Sequence, residues 1–209
     1  MNIVLLGIQG SGKGTLVLAL EKHLDFSLIS VGQLLREEIA TGSKLGEYIS
    51  SVINNGNLLD TETVLKVIDN KLKNTKDFAI FDGFPRNKEQ ADALDKVAKV
   101  DLVIYLNLPK SIAKERILNR LTCTKCGNVT SKLFEKSKIG SKCGGNLEKR
   151  EDDTPEAVEK RFEQYEQLTY PLLKKYKAES RVIELDATKP TSELLDIVLD
   201  VINEHNNKK

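Results

Sequence analysis

Ile3-Val4-Leu5-Leu6-Gly7-Ile8-Gln9-Gly10-Ser11-Gly12-Lys13-Gly14-Thr15 is an apolar run that breaks into glycines and ends on a lysine and a hydroxyl. Four apolar residues in a row bounded by glycine read as a buried strand, and the residues after Thr15 read as a helix. Between them lies the spacing of a phosphate-binding loop. Its glycines turn the chain tightly and expose successive N–H groups, Lys13 supplies a point charge for the β- and γ-phosphates, and the helix behind adds its positive end. A glycine-rich turn with an incidental lysine would leave the strand before it and the helix after it unexplained. A nucleotide phosphate site is therefore predicted at Gly10, Ser11, Gly12, Lys13, Gly14 and Thr15.

Working outward, short apolar runs recur at Ser27 to Ser30, Phe78 to Asp82, Leu102 to Asn107 and Val182 to Asp186, with amphipathic stretches between them. Alternation of this kind predicts an α/β fold with a five-stranded parallel sheet covered by helices on both faces. Thr154-Pro155-Glu156 places a hydroxyl cap before a proline at the first helical position, and Thr191 is expected to cap a last helix that buries Leu194, Leu195, Val198 and Val201. Two segments depart from the alternation. From Val31 to about Lys73 the pattern is consecutive helices broken at Thr41-Gly42-Ser43 and Asn54-Asn55-Gly56; from Leu121 to Arg150 there is little periodicity, which predicts a small irregular insertion. Ligands of such sheets bind beyond the carboxyl ends of the strands, where both excursions can fold over the loop.

Composition narrows the class. The 209 residues are 40% hydrophobic and 30% charged, and 32 basic residues nearly cancel 31 acidic ones, so nothing points to nucleic acid or an acidic membrane surface. No apolar run approaches the ~20 residues that span a bilayer, and the first strand begins at once, so a cytoplasmic protein is expected. The polar end from Asn206 to Lys209 is expected to fray. Three cysteines, Cys123, Cys126 and Cys143, are an odd number in a short stretch, which argues against a disulfide framework and for local metal or redox chemistry. The two histidines, His23 and His205, sit in helical surface contexts and offer no nucleophile-activating arrangement.

A second constellation follows the Phe78 strand: Asp82-Gly83-Phe84-Pro85-Arg86. Asp82 stands where a carboxylate orients Mg²⁺ through water beside the phosphates, and Arg86 where a guanidinium neutralises a second phosphate group. The third is Arg150-Glu151-Asp152-Asp153, with Arg161 a helix-length further on. Phosphoryl transfer needs cations spread round an in-line geometry and water kept out, so arginines in these places suit it without any nucleophilic side chain.

Together the pieces resemble the adenylate kinase family over nearly the whole chain, from Met1 to about Asn203. The matching words are GxxGxGKGT at Gly7 to Thr15, in the nucleotide-kinase variant with Gly14 between Lys13 and Thr15; Ser30-Val31-Gly32-Gln33-Leu34-Leu35-Arg36; Asp82 to Arg86 with Gln90; and Arg150-x-Asp152-Asp153 with Arg161. The resemblance implies reversible transfer of the γ-phosphoryl group of MgATP to AMP, giving two ADP; a monomer is expected, though the sequence itself is silent on oligomeric state. The resemblance also implies a core of residues 1–30, 61–120 and 152–209, an AMP-binding part of residues 31–60 and a lid of residues 121–151. Lys13 would hold the transferring group, Asp82 would support hydrated Mg²⁺, and Arg36 and Arg86 would grip the acceptor phosphate with Val31, Leu58 and Gly83 around the acceptor. Gln90 would read the acceptor base. Arg120 would stack on the donor adenine near Ala187-Thr188-Lys189-Pro190, while Arg150 and Arg161 would meet the transferred and acceptor phosphates.

The chain departs from the family at three places. Cys123-x-x-Cys126 with Cys143 resembles the zinc-bearing lids of some members, but alignment puts Gly140 where a fourth cysteine would stand. Zinc would then need Ser141, Asn146 or water as fourth donor; a degenerated site with free thiols is the other reading. The family's lid Gly-Arg after the position of Arg120 is missing, with Lys125 as a stand-in charge. Thr-Gly-Asp of the acceptor site is Val31-Gly32-Gln33, which leaves a kinase of other nucleoside monophosphates as the second reading. A regulatory GTPase would need an Asn-Lys-x-Asp word, which is absent, and a zinc-ribbon adaptor would explain the cysteines alone.

Overall fold

A computed structural model describes residues 1–75, 77–134, 137–140 and 142–207, without the side chains of residues 70, 206 and 207. The chain begins with β1 (Asn2–Gly7), α1 (Lys13–Leu20), β2 (Ser27–Ser30) and then three helices in succession, α2 (Val31–Ala40), α3 (Lys44–Ile53) and α4 (Thr61–Lys73). It continues through β3 (Ala79–Asp82), α5 (Lys88–Val97), β4 (Leu102–Asn107) and α6 (Lys110–Leu118) into three short strands, β5 (Arg120–Cys123), β6 (Val129–Ser131) and β7 (Leu147–Glu148). The last part is α7 (Pro155–Gln164), a single π turn (Tyr165–Thr169), α8 (Tyr170–Ala178), β8 (Val182–Asp186) and α9 (Thr191–Asn207).

Five strands form one parallel sheet in the order β2-β3-β1-β4-β8, flanked by helices, as the alternation predicts. Central β1 is bonded on both sides, and Ile3, Val4, Leu5 and Leu6 are all buried, which is why its sequence is continuously apolar rather than alternating. Edge strand β8 buries Leu185 alone. Each buried aliphatic side chain of β1 contributes about 1.5–3 kcal/mol by its removal from water. The register brings Gly7, Ser30, Asp82 and Asn107 to the same carboxyl edge.

Helix starts follow their caps. Ser43 accepts from the Gly46 N–H, Asp60 from Thr63, Asn87 from Gln90 and Thr154 from Ala157, the last with Pro155 in the first turn. Thr191, expected as a cap, is instead the first helical residue of α9, and the Pro190 carbonyl accepts the N–H groups of Glu193 and Leu194. Of that helix Leu194 and Val198 are buried, as is Ile202, while Leu195 and Val201 are partly so. Helix α9 runs to Asn207; the remainder of the tail lies outside the described residues.

Most described residues from Leu121 to Arg150 are loop and turn, as expected, but the segment is not without order. It holds a three-stranded antiparallel sheet in the order β6-β5-β7, with Thr122 opposite both Val129 and Glu148. Its strands run two to four residues, too short for sequence alternation to register. Among the described residues no helix is long and apolar enough to cross a membrane.

Candidate active site

The phosphate loop hangs between β1 and α1 at the carboxyl edge. Gly10 takes φ +86° and passes so close to α6 that a Cβ would lie 2.7 Å from the Ala113 carbonyl, so no other residue fits there without moving α6. Gly12, left-handed at φ 97°, starts α1 with no side-chain cap, which leaves the first helical amides to an anion. Lys13 Nζ lies back across the loop and donates to the Gly7 carbonyl at 2.8 Å, the Ile8 carbonyl at 3.1 Å and Ser11 Oγ at 3.3 Å. Burial pushes its ammonium down to about 8, against the pull of the Asp82 carboxylate and with the repulsion of Arg86 and Arg120. Ser11 is buried, whereas Gly14 and Thr15 are exposed.

Asp82 ends β3, and the chain then turns at Gly83 (φ +77°) so that the Arg86 side chain folds back, Nε donating to the Gly83 carbonyl at 2.9 Å. The Arg86 peptide is clamped on both sides. Its N–H donates to Gln90 Oε1 at 2.8 Å, and its carbonyl accepts from Thr169 Oγ1 at 2.6 Å. Gln90, 2% exposed, is thus a strut of this turn, and Thr169 is a supporting residue that the sequence did not announce because it comes from the π turn far along the chain. Burial, then the Arg161 guanidinium, lower the affinity of Arg86 for its proton.

Asp153 is fully buried and receives both Nε and Nη2 of Arg120, at 2.9 and 2.6 Å, with Arg161 Nη1 at 3.5 Å. Arg161 also pairs with Asp152 and donates to the Ile53 carbonyl at the end of α3, 3.4 Å away. Arg150 donates through Nε to Thr122 Oγ1 at 3.0 Å, and burial, then its neighbours Arg120 and Arg36, weaken its hold on its proton. Arg36 on α2 is solvent-exposed and feels the charges of Asp152, Arg120, Asp82 and Asp153. Six cations, Lys13, Arg36, Arg86, Arg120, Arg150 and Arg161, therefore act on one another against the three carboxylates Asp82, Asp152 and Asp153. Such an excess of positive charge at the mouth of a phosphate loop is built for anions.

Two expected positions look different in place. The side chain of Arg120 points to Asp153 and the phosphate end, whereas Arg116, in the last turn of α6, donates from Nη2 to the Ala187 carbonyl at 3.2 Å. The arginine beside 187–190 is Arg116. A cationic residue four positions before Arg120 was the available signal. Lys125 lies in the cysteine turn, with its N–H on Cys123 Sγ, and is not among the charges acting on the cluster, where Arg120 already stands. Lys189 reaches Glu193 at 3.5 Å on α9. Val31 is buried at the start of α2, and Leu58 is half-buried in the connection between α3 and α4.

Cys123, Cys126 and Cys143 come together, every pair of Sγ atoms within 4.8 Å. Backbone N–H groups of Cys126 and Lys125 point at Cys123 Sγ and hold its thiol down to about 7, while hydrogen bonding to Cys126 pushes Cys143 up. Gly140 does not belong to this group. A Cβ there would meet Leu147 at 3.1 Å, so the alignment placing a ligand at Gly140 is corrected; Ser141 lies outside the described residues.

A family profile described as Adenylate kinase matches residues 5–181. The chain belongs to the adenylate kinase family. It is 33% identical to an adenylate kinase of Fervidobacterium nodosum over 97% of both chains, and 35% identical to one of Buchnera aphidicola over the whole of both. An adenylate kinase of Archaeoglobus fulgidus shares 36% identity over 90% of this chain and 92% of its own. Membership makes the chain a phosphotransferase, acting between ATP and AMP.

Proposed function

We propose that the six-cation cluster performs reversible transfer of the γ-phosphoryl group of ATP to AMP by positioning and charge stabilisation alone. An oxygen of the AMP phosphate forms the new bond to the γ-phosphorus as the bond to the β-phosphate oxygen breaks, and ADP leaves on each side. Lys13 leaves the loop carbonyls for the phosphates, the amides of Gly10 to Thr15 cradle them, and Arg120 and Arg150 meet the transferring group. Arg36 and Arg86 grip the acceptor phosphate, with Arg161 between the two sides and Val31, Leu58 and Gly83 lining the acceptor. Gln90 serves the base from a position where it already holds the Arg86 peptide. Arg116, beside Ala187, takes the place at the donor base that the resemblance gave to Arg120.

Mg²⁺ fits beside the loop. Asp82 offers a hard carboxylate next to Lys13, and Mg²⁺ is commonly held by one carboxylate, water and substrate phosphates. When bound it neutralises charge on the phosphates. Zinc fits the three sulfurs, soft donors already receiving backbone N–H groups, and would hold the small sheet together. We divide the chain accordingly into a core, an AMP-binding part at 31–60 and a lid at 121–151 that excludes water on closing. The observation that carries the reading is the unbalanced ring of cations around Asp82 and Lys13. Coupled assays with ATP against AMP, CMP, UMP and GMP test it; AMP is expected to be preferred, and equal rates with all four would favour a broad monophosphate kinase.

A further inference from the structure

Cys123 and Cys126 stand three residues apart in one turn, and Cys143 and Asn146 stand three apart in the turn that faces it. The turns are tied together. The Thr124 N–H donates to the Asn146 carbonyl at 2.8 Å and its hydroxyl to the same oxygen at 3.3 Å. Gly145 passes so near that a Cβ there would lie 2.6 Å from Cys123 Sγ and 2.6 Å from Lys125 Cβ. Cys143 Sγ is 3.4 Å from Cys123 Sγ and 3.2 Å from Cys126 Sγ. Three corners of a tetrahedron thus carry sulfur, and the repeated spacing assigns the fourth to position 146.

Position 146 carries a neutral carboxamide. Asn146 is exposed, as is Cys126, so the site opens to solvent on this side. An amide oxygen is a hard, uncharged donor and competes poorly with soft ligands for a metal already bound to thiolates. No histidine, aspartate or glutamate joins the group among the described residues. We propose that the lid metal is held by three thiolates only and keeps an exchangeable fourth position at residue 146, on which a small external thiol binds. The thiol binds as its thiolate, releasing its proton to solvent and displacing the water or amide oxygen. Lys125 and Lys142, next to the cysteines in sequence, offset the charge gained. The proposal rests on the reading of Cys123, Cys126 and Cys143 as a metal site.

Cobalt(II) loaded into the full chain is the probe. One equivalent is expected to bind with thiolate-to-cobalt absorption, and single Cys→Ser variants are expected to weaken it; no binding, or unchanged affinity in all three variants, would sink the metal site itself. With cobalt bound, added 2-mercaptoethanol is expected to shift the visible bands to saturation while the metal stays with the protein on gel filtration. Asn146→Ala should respond like the wild type. Asn146→Cys should show no shift and bind cobalt tighter by on the order of tenfold, about 1.4 kcal/mol. A wild-type spectrum indifferent to thiol, with Asn146→Ala or Ser141→Ala becoming sensitive, would mean that a protein oxygen closes the site and would overturn the proposal. Loss of the cobalt to the thiol would overturn it too.

Discussion

The parallel sheet buries Ile3, Val4, Leu5, Ile80, Phe81, Val103 and Ile104 in one continuous core, whereas the described residues of 121–151 bury Cys123 and Leu147 and leave Val129, Leu133, Phe134 and Ile139 exposed. Neither Cys123 nor Leu147 joins the main core. A sheet of three short strands with so little to bury does not sustain itself in water, and small units of this kind rely on disulfides or metals. The core holds the phosphate loop by packing, whereas the small sheet has three clustered thiols beside it and little apolar surface to bury. Between them stands Asp153, whose buried carboxylate joins Arg120 at the start of β5 to Arg161 on α7.

Breaking that junction has the largest expected effect. Asp153→Ala strands Arg120 and Arg161, which are 18% and 11% exposed, without their shared partner, and should destabilise the protein by about 3 kcal/mol and impair transfer as well. Denaturant unfolding is the measurement. A loss under about 0.5 kcal/mol, the range of an ordinary surface change, would show that the lid does not lean on the core here.

Lys13→Ala comes next. Transfer should fall by at least ~100-fold, about 2.7 kcal/mol of barrier, with the fold kept, because the ammonium acts on developing charge while its present bonds are to loop carbonyls. Near-wild-type turnover would remove the loop from the mechanism. Because the folded ammonium is held at about 8, below its ordinary value, it is charged below that pH and neutral above it. Stability from this group therefore rises as pH climbs from about 8 through the unfolded value of ~10.4, while kcat/KM for ATP falls over the same range. The residual activity of Lys13→Ala should lack that fall; a step of equal size in both would assign it to another group.

How much of this was legible follows the same division. In the core, strand positions, the helical run after β2 and the phosphate loop were readable, because long buried strands are continuously apolar and the loop's glycines and lysine have fixed spacing. The arginines could be picked out as anion-binding candidates, and Asp82 as a carboxylate suited to Mg²⁺, from their places at strand and helix ends. Hidden were contacts made across the chain: Thr169 on the Arg86 carbonyl, Gln90 on its N–H, and Arg116 on Ala187. Those depend on which turns face each other, and local pattern does not encode that. The small sheet went unread since its strands are too short for alternation, and alignment puts Gly140 at the fourth corner although Cys143-x-x-Asn146 repeats the spacing of Cys123-x-x-Cys126.

The lid should also come apart by itself. Cys123→Ser, or treatment of metal-loaded enzyme with a chelator, is expected to speed proteolysis within the small sheet of β5, β6 and β7 while the melting of the core moves by no more than about 2–4 °C, ~1 kcal/mol in a chain of this size. A single cooperative loss of lid and core together would show that the two sheets share one stability, against the separate cores seen here.

The smallest effect is expected at the proposed donor-base site, on the core side of the junction. Phosphate contacts from Gly10 to Thr15 are the same for every nucleoside triphosphate, and what the fold sets beside 187–190 is the guanidinium of Arg116 and backbone carbonyls such as that of Ala187. A guanidinium stacks on any base, since each offers a π-face. GTP, CTP and UTP should therefore replace ATP with losses of about tenfold or less, only ~1.4 kcal/mol, and Arg116→Ala should raise KM for all four donors alike with kcat little changed. Arg120→Ala, acting at the phosphates, should instead lower kcat for every donor. Steady-state rates at fixed AMP separate the cases: a thousandfold preference for ATP would require a specific adenine contact. A kcat loss in Arg116→Ala as deep as that in Arg120→Ala would return both arginines to the phosphate end and erase the distinction drawn between them.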